Sequence, residues 1–142
     1  KFNPDYIAFI LPGLRSKPDD GYLQDLYCKL LRSNIRTVLF VPRFNDYKFQ
    51  LPKNKKIDLV EDIREGFLYV KSKFPDAKFI TIGHSYGANA IVNYLAKYNE
   101  DKSIVAAVSV ANPFSFPKGS AKIKGTIIDQ FLTTGLKHIA EA

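Results

Sequence analysis

Ser85 lies at the centre of Gly83-His84-Ser85-Tyr86-Gly87, a G-x-S-x-G pattern. A serine hydroxyl attacks an acyl carbonyl when a base takes its proton and N–H donors receive the developing oxyanion. The pattern carries that chemistry when a strand leads into it and a helix leads out. Both flanks fit. Phe79-Ile80-Thr81-Ile82 is a short apolar run of strand type, and Ala88, Ile91, Tyr94 or Leu95, and Tyr98 then fall on one helical face. Gly83 and Gly87 have a steric role on this reading, because bulk at either would clash with the neighbouring strand and helix. The following helix N-terminus supplies N–H groups and the positive end of its dipole, which favour an oxyanion. The alternative is an ordinary strand-to-helix turn with a serine in the first helical turn.

A second candidate turn is Pro12-Gly13-Leu14, after the apolar run Tyr6 to Leu11. If the strands before the two turns are neighbours, the Leu14 N–H can join that of Tyr86 in an oxyanion hole. The chain has two histidines as candidate bases, His84 and His138. His84 adjoins the serine, and a neighbour on so sharp a turn points away from it, so its role is packing or hydrogen bonding. His138 follows Asp129 by nine residues. On a continuous helix that separation puts the two side chains about half a turn apart. They meet only if Gly135 breaks the helix.

The elements that must position these residues alternate. Strands are expected at Tyr6–Leu11, Arg36–Val41, Phe79–Ile82 and Ile104–Val110. Helices are expected from Tyr22 to Leu31, from Leu59 to Val70, through Tyr98 after the serine, and over Thr126–Ile139. Asp19 or Asp20 is a candidate cap for the first helix and Asp58 for the second. Arg43 to Lys56 reads as irregular and basic. Asn112 to Gly125, with two prolines and two glycines, reads as loop. Alternation of this kind gives an α/β fold: a parallel, doubly wound sheet of about four strands in a single domain over residues 1–142. Ligands in such sheets bind at the carboxyl ends of strands, where the strand order switches.

Composition narrows the partners. The 142 residues are 46 % apolar and 25 % charged, an ordinary globular balance. The net charge is +7, but the lysines are scattered and the run Lys53-Asn54-Lys55-Lys56 lacks interleaved aromatics. Nucleic acid is therefore not expected as a partner. The charge suits docking onto an anionic membrane surface or an acidic protein. No apolar run approaches the ~18 residues of a membrane span. The lone Cys28 cannot form an internal disulfide, which fits a reducing, intracellular compartment. No cofactor and no metal are expected. The chain contains no methionine, so it is expected to be a processed product or a segment of a longer protein.

With these residues in view, the sequence resembles the α/β-hydrolase superfamily, and within it the YheT-like branch of lipases and esterases related to plant embryogenesis-associated hydrolases. The resemblance rests on Ile82-Gly83-His84-Ser85-Tyr86-Gly87-Ala88-Asn89, Asn93-Tyr94-Leu95 and Val108-Ser109-Val110-Ala111-Asn112-Pro113-Phe114. Pro12-Gly13-Leu14 aligns with the branch's HGL oxyanion turn and Pro42-Arg43 with its N-x-R-G turn. Pro12 stands where histidine is usual, and Phe44 where glycine is. The resemblance implies strand order 2-1-3-4 and a serine ester hydrolase of acyl-ester or lipid substrates. Ser85 would be its nucleophile, and Leu14 and Tyr86 its backbone oxyanion donors. It also implies that the triad acid and histidine come from later strands and loops. The alternative is a non-catalytic hydrolase-fold subunit of a larger assembly. In either case a partner covering the sheet edges is expected.

Overall fold

A computed structural model describes residues 5–43, 58–98 and 101–140, and within these the side chains of Phe131 and residues 135–140 are not described. Phe44 and the basic run at residues 53–56 lie outside the described residues. Four strands form one parallel sheet: β1 (Tyr6–Leu11), β2 (Arg36–Leu39), β3 (Lys78–His84) and β4 (Ile104–Val110). Their order is β2-β1-β3-β4. The switch in order falls between β1 and β3, which pair from Tyr6↔Lys78 to Leu11↔Gly83. Both candidate turns therefore leave adjacent strand ends.

Side chains alternate along β1, so each face gathers its own core. Ile7, Phe9 and Leu11 pack with Ile63 and Phe67 of α2 (Leu59–Lys73) and with Ala90, Ile91 and Tyr94 of α3 (Tyr86–Lys97). Ala8 and Ile10 pack with Ile82 and with Leu23 of α1 (Gly21–Arg32) on the other face. Helices thus cover both faces of the central strands. Phe67 is the hub of the larger core. Its ring lies 5.6 Å from Phe9, 4.8 Å from Phe79 and 6.0 Å from Tyr94, centroid to centroid. The Asp58 carboxylate accepts bonds from the Val60 and Glu61 N–H groups, starting α2 as its residue type suggests.

Several boundaries differ from the sequence expectation. Asp20 occupies the cap position of α1, but its carboxylate makes no bond to the helix and instead accepts from the Lys17 N–H. β2 ends at Leu39 rather than Val41, although the Phe40 N–H still donates to Ile10 O at 2.8 Å. The stretch read as loop contains α4 (Phe116–Ile123). Ser115 caps it by accepting from the Lys118 N–H, and Pro117 sits in the first turn, where a missing N–H costs nothing. Pro117, one of the two prolines that suggested loop, thus marks a helix start.

The last helix, α5 (Ile127–Ala140), runs unbroken through Gly135. The break needed to bring Asp129 and His138 together is absent. Its residues Ile127 and Ile128 are exposed, so this part of its apolar stripe is not buried. β4 is an edge strand with Val105, Val108 and Val110 also exposed.

Phe67→Ala removes a fully buried ring that three other aromatics contact. It is expected to lower unfolding free energy by about 3–5 kcal/mol in urea titrations.

Candidate active site

β3 continues through Gly83 and His84, and α3 begins at Tyr86, so the expected five-residue turn is a single residue, Ser85. Ser85 has φ 52° and ψ −117°. That left-handed conformation costs a non-glycine residue about 1–3 kcal/mol. Three backbone bonds hold it. The Ser85 N–H donates to Val110 O at 2.8 Å, and Ser85 O accepts from Ala88 and Asn89 at 3.0 and 3.2 Å. The side chain makes no capping bond to α3, and the residue is exposed. The hydroxyl stands at the carboxyl end of the sheet beside the switch point.

The two glycines of the pattern are sterically required. A Cβ on Gly83 would lie 2.5 Å from Ala88 Cα and 2.6 Å from Gly87 O. One on Gly87 would lie 2.5 Å from Pro12 O and 2.6 Å from Leu11 O. These are backbone atoms and cannot swing aside. The first turn of α3 is therefore pressed against the end of β1, which brings the Gly13 turn to the serine. A Cβ on Gly13 would lie 3.5 Å from Ser85 Cβ. Leu14 is half-buried in that turn and lines an open depression of about 290 Å³ with Arg15, Ser16, Asp20 and Leu132. Tyr86 opens α3, so its N–H belongs to the N-terminal turn, where the helix dipole is positive. The structure thus gathers Ser85, Gly83, Gly87, Leu14 and Tyr86 at one end of the sheet.

His84 turns away to the α1 side. Its ring meets the Tyr22 ring edge-on at 5.1 Å, and its Nδ1 is buried without a hydrogen-bond partner. Burial pushes its pKa below the ordinary histidine value. The His138 side chain lies outside the described residues. Among the described residues no cluster of His, Cys, Asp or Glu could hold a metal.

Polar residues of the quoted motifs meet behind the serine. The Asn89 side chain donates to Pro113 O at 3.3 Å. Asn93 donates to both the carbonyl and the side-chain oxygen of Asn89 at 2.9 Å. Asn112 donates to Ser109 Oγ at 3.0 Å, and the preceding Ala111 has φ 51°. These contacts tie the chain leaving β4 to the helix that follows Ser85. Arg43 pairs through two nitrogens with the nearly buried Asp62 of α2, anchoring the end of β2. Sequence reading missed Tyr22 and Ser16, whose hydroxyls lie 2.7 Å apart beside the Gly13 turn. Tyr22 carried a signal only as an apolar member of α1, and Ser16 only as a loop residue.

Comparison with known proteins adds an independent observation. The chain is 26 % identical to the embryogenesis-associated protein EMB8 of Picea glauca over 141 residues, covering 94 % of this chain and 30 % of that protein. It is 33 % identical over 78 residues to a monoacylglycerol lipase of Saccharomyces cerevisiae, covering 54 % of this chain and 17 % of the lipase. The relationship is α/β-hydrolase-like. It is 36 % identical over 53 residues to the medium-chain fatty acid ethyl ester synthase/esterase 2 of the same yeast, 37 % of this chain and 12 % of that enzyme. The chain therefore spans less than a third of each of these relatives. No family model and no solved structure matches it.

Gly87→Ala drives a Cβ into two backbone carbonyls and is expected to cost about 3 kcal/mol of stability, read as a lowered thermal midpoint. His84 gives a pH dependence. Its folded pKa is depressed, so the unfolded chain binds the proton more readily. The stability it contributes is present above the ordinary histidine pKa of about 6.5 and is lost as pH falls below it. Urea unfolding between pH 7.5 and 5, both set on the ~6.5 reference, should show this decline, and His84→Gln should flatten it.

Proposed function

We propose that the protein is a serine hydrolase of carboxylic esters, of the YheT-like branch, with Ser85 as its nucleophile. The observation that carries this reading is the conformation of Ser85. A strained, exposed serine links a central parallel strand directly to a helix, and its hydroxyl is not spent on capping that helix. A helix start alone does not require positive φ, since an ordinary N-cap is extended. Strain of this kind is retained where surrounding structure enforces it for use. The similarity to a lipase and an esterase supports a hydrolase-like function in general terms. The similarity to EMB8 over 94 % of the chain supports the narrower branch.

In this mechanism Ser85 Oγ attacks the acyl carbonyl while a base takes its proton. The carbonyl oxygen becomes an oxyanion, received by the N–H groups of Leu14 and Tyr86 and by the dipole of α3. Collapse expels the alcohol, which takes the proton from the base, and leaves an acyl-serine. Water then repeats the sequence and releases the acid. His84 is not that base in this scheme, because its ring packs on Tyr22 on the far side of the strand end. The base and its orienting acid are assigned to parts of the protein outside this segment. Acyl esters of lipid type are the proposed substrates, in keeping with the names of the two yeast relatives.

A second reading is a hydrolase-like domain that serves as a non-catalytic component of an assembly. The exposed apolar edge at β4 supports a partner there, whether further chain or another protein. One experiment separates the two. The full-length protein is treated with a fluorophosphonate probe beside its Ser85→Ala variant. Labelling of wild type that is abolished in the variant is expected, with ester turnover falling by about 10⁴-fold or more. A folded wild type that takes no label would sink the enzyme reading in favour of the structural one.

A further inference from the structure

We propose that the Tyr22 hydroxyl is a positioning group that sets the direction of the Leu14 N–H, an inference that rests on Ser85 being the nucleophile. Leu14 and Arg15 are the two central residues of a tight turn closed by Ser16 N–H to Gly13 O at 3.2 Å. Arg15 sits at φ 63°. Such a left-handed residue costs roughly 1 kcal/mol, so the turn needs restraint from outside itself. One hydroxyl supplies it at both ends. Tyr22 Oη lies 3.4 Å from Gly13 N and 2.7 Å from Ser16 Oγ. The bonding to the turn's first residue has one sense only. An N–H can only donate, so Tyr22 accepts from Gly13, while between the hydroxyls of Tyr22 and Ser16 either one can be the donor. The N–H of the turn's first residue and the hydroxyl of its fourth thereby share one partner atom, which biases the orientation of the peptides between them.

The same side chain refers the turn to the serine. The Tyr22 ring packs edge-on against His84, the residue before Ser85. Tyr22 itself leaves the first turn of α1, whose Leu23 is buried in the sheet core. Tyr22 therefore stands on a helix anchored in the core, lays its ring against the residue before Ser85, and holds with its hydroxyl the turn that faces the serine. A stability role does not account for this arrangement. Tyr22 is 41 % exposed and its bond to Gly13 is long, so the contact adds little to folding. Its leverage is on direction. An oxyanion donor works only when it points at the place the charge will occupy.

Tyr22→Phe keeps the ring against His84 and removes only the clamp. In the full-length protein, with a p-nitrophenyl ester of a short fatty acid, kcat is expected to fall about tenfold while KM stays within about twofold, as a misdirected transition-state contact requires. Ser16→Ala removes one end of the clamp and should give a smaller fall in the same sense. Hydrogen exchange should quicken in the peptide covering residues 12–20 of Tyr22→Phe and nowhere else, with the thermal midpoint unchanged. Wild-type kcat in Tyr22→Phe, beside an inactive Ser85→Ala, would overturn the clamp and leave the nucleophile standing. A loss of kcat matched by a lowered thermal midpoint would overturn it too, as a folding effect. A wild type that neither hydrolyses the ester nor takes a fluorophosphonate would overturn both, whatever the exchange data show.

Discussion

The site depends on one close approach between backbones. The first turn of α3 lies against the last carbonyls of β1, and no side-chain atom fits between them at Gly87. Gly83 faces the same turn from β3 with equally little room. Protein interiors are packed too densely to open such a gap without moving whole elements. The helix can follow the strand after one residue only because both positions lack a Cβ. That shortness forces Ser85 to positive φ, lifts its hydroxyl off the helix, and sets it beside Gly13. Larger residues at these points would push α3 outward and separate the serine from the β1 turn.

Around that contact, polar groups restrain segments that have little core of their own. Asn89 reaches from α3 to Pro113 and steadies the chain leaving β4, while Asn93 braces Asn89. The Ser85 N–H bonds to the end of β4, so the strained residue is braced by an edge strand as well as by its own helix. Arg43 meets the carboxylate of Asp62, which has little access to water, and ties the short edge strand β2 to α2. A carboxylate removed from water needs such a partner. Apart from the brace of Asn93 on Asn89 within α3, each contact joins residues distant in the chain.

The central sheet was legible because its strands are apolar on both faces, the mark of a parallel sheet covered by helices. Phe9 and Ile10 are both buried although they face opposite sides. The second helix start was legible at Asp58, which caps as its type suggests. At Asp20 the cap position was legible but the bond was not, because its carboxylate accepts from Lys17 in the loop before it. Short polar side chains choose among local N–H groups within a kilocalorie or so of one another, roughly the net worth of one hydrogen bond, and sequence does not rank them. Pro117 misled for a related reason. Proline breaks a helix interior yet suits a first turn, and only Ser115 bonding to Lys118 decides between them.

The sequence by itself determined the alternation of strands and helices, the G-x-S-x-G link, and the need for glycine at position 83, where a Cβ would meet Gly87 and Ala88 of the same segment. These follow from local period and local sterics, which a single chain segment contains. The strand order is the one the resemblance implied. Tertiary structure decided how closely the Gly13 turn comes to Ser85 across it. It decided that His84 packs on Tyr22, that Asn89 reaches Pro113, and that the hydroxyls of Tyr22 and Ser16 meet over the turn. Such contacts depend on where whole helices come to rest on the sheet. That placement is fixed by the packing of Leu23, Phe67 and Tyr94 in the two cores, not by the residues that use it.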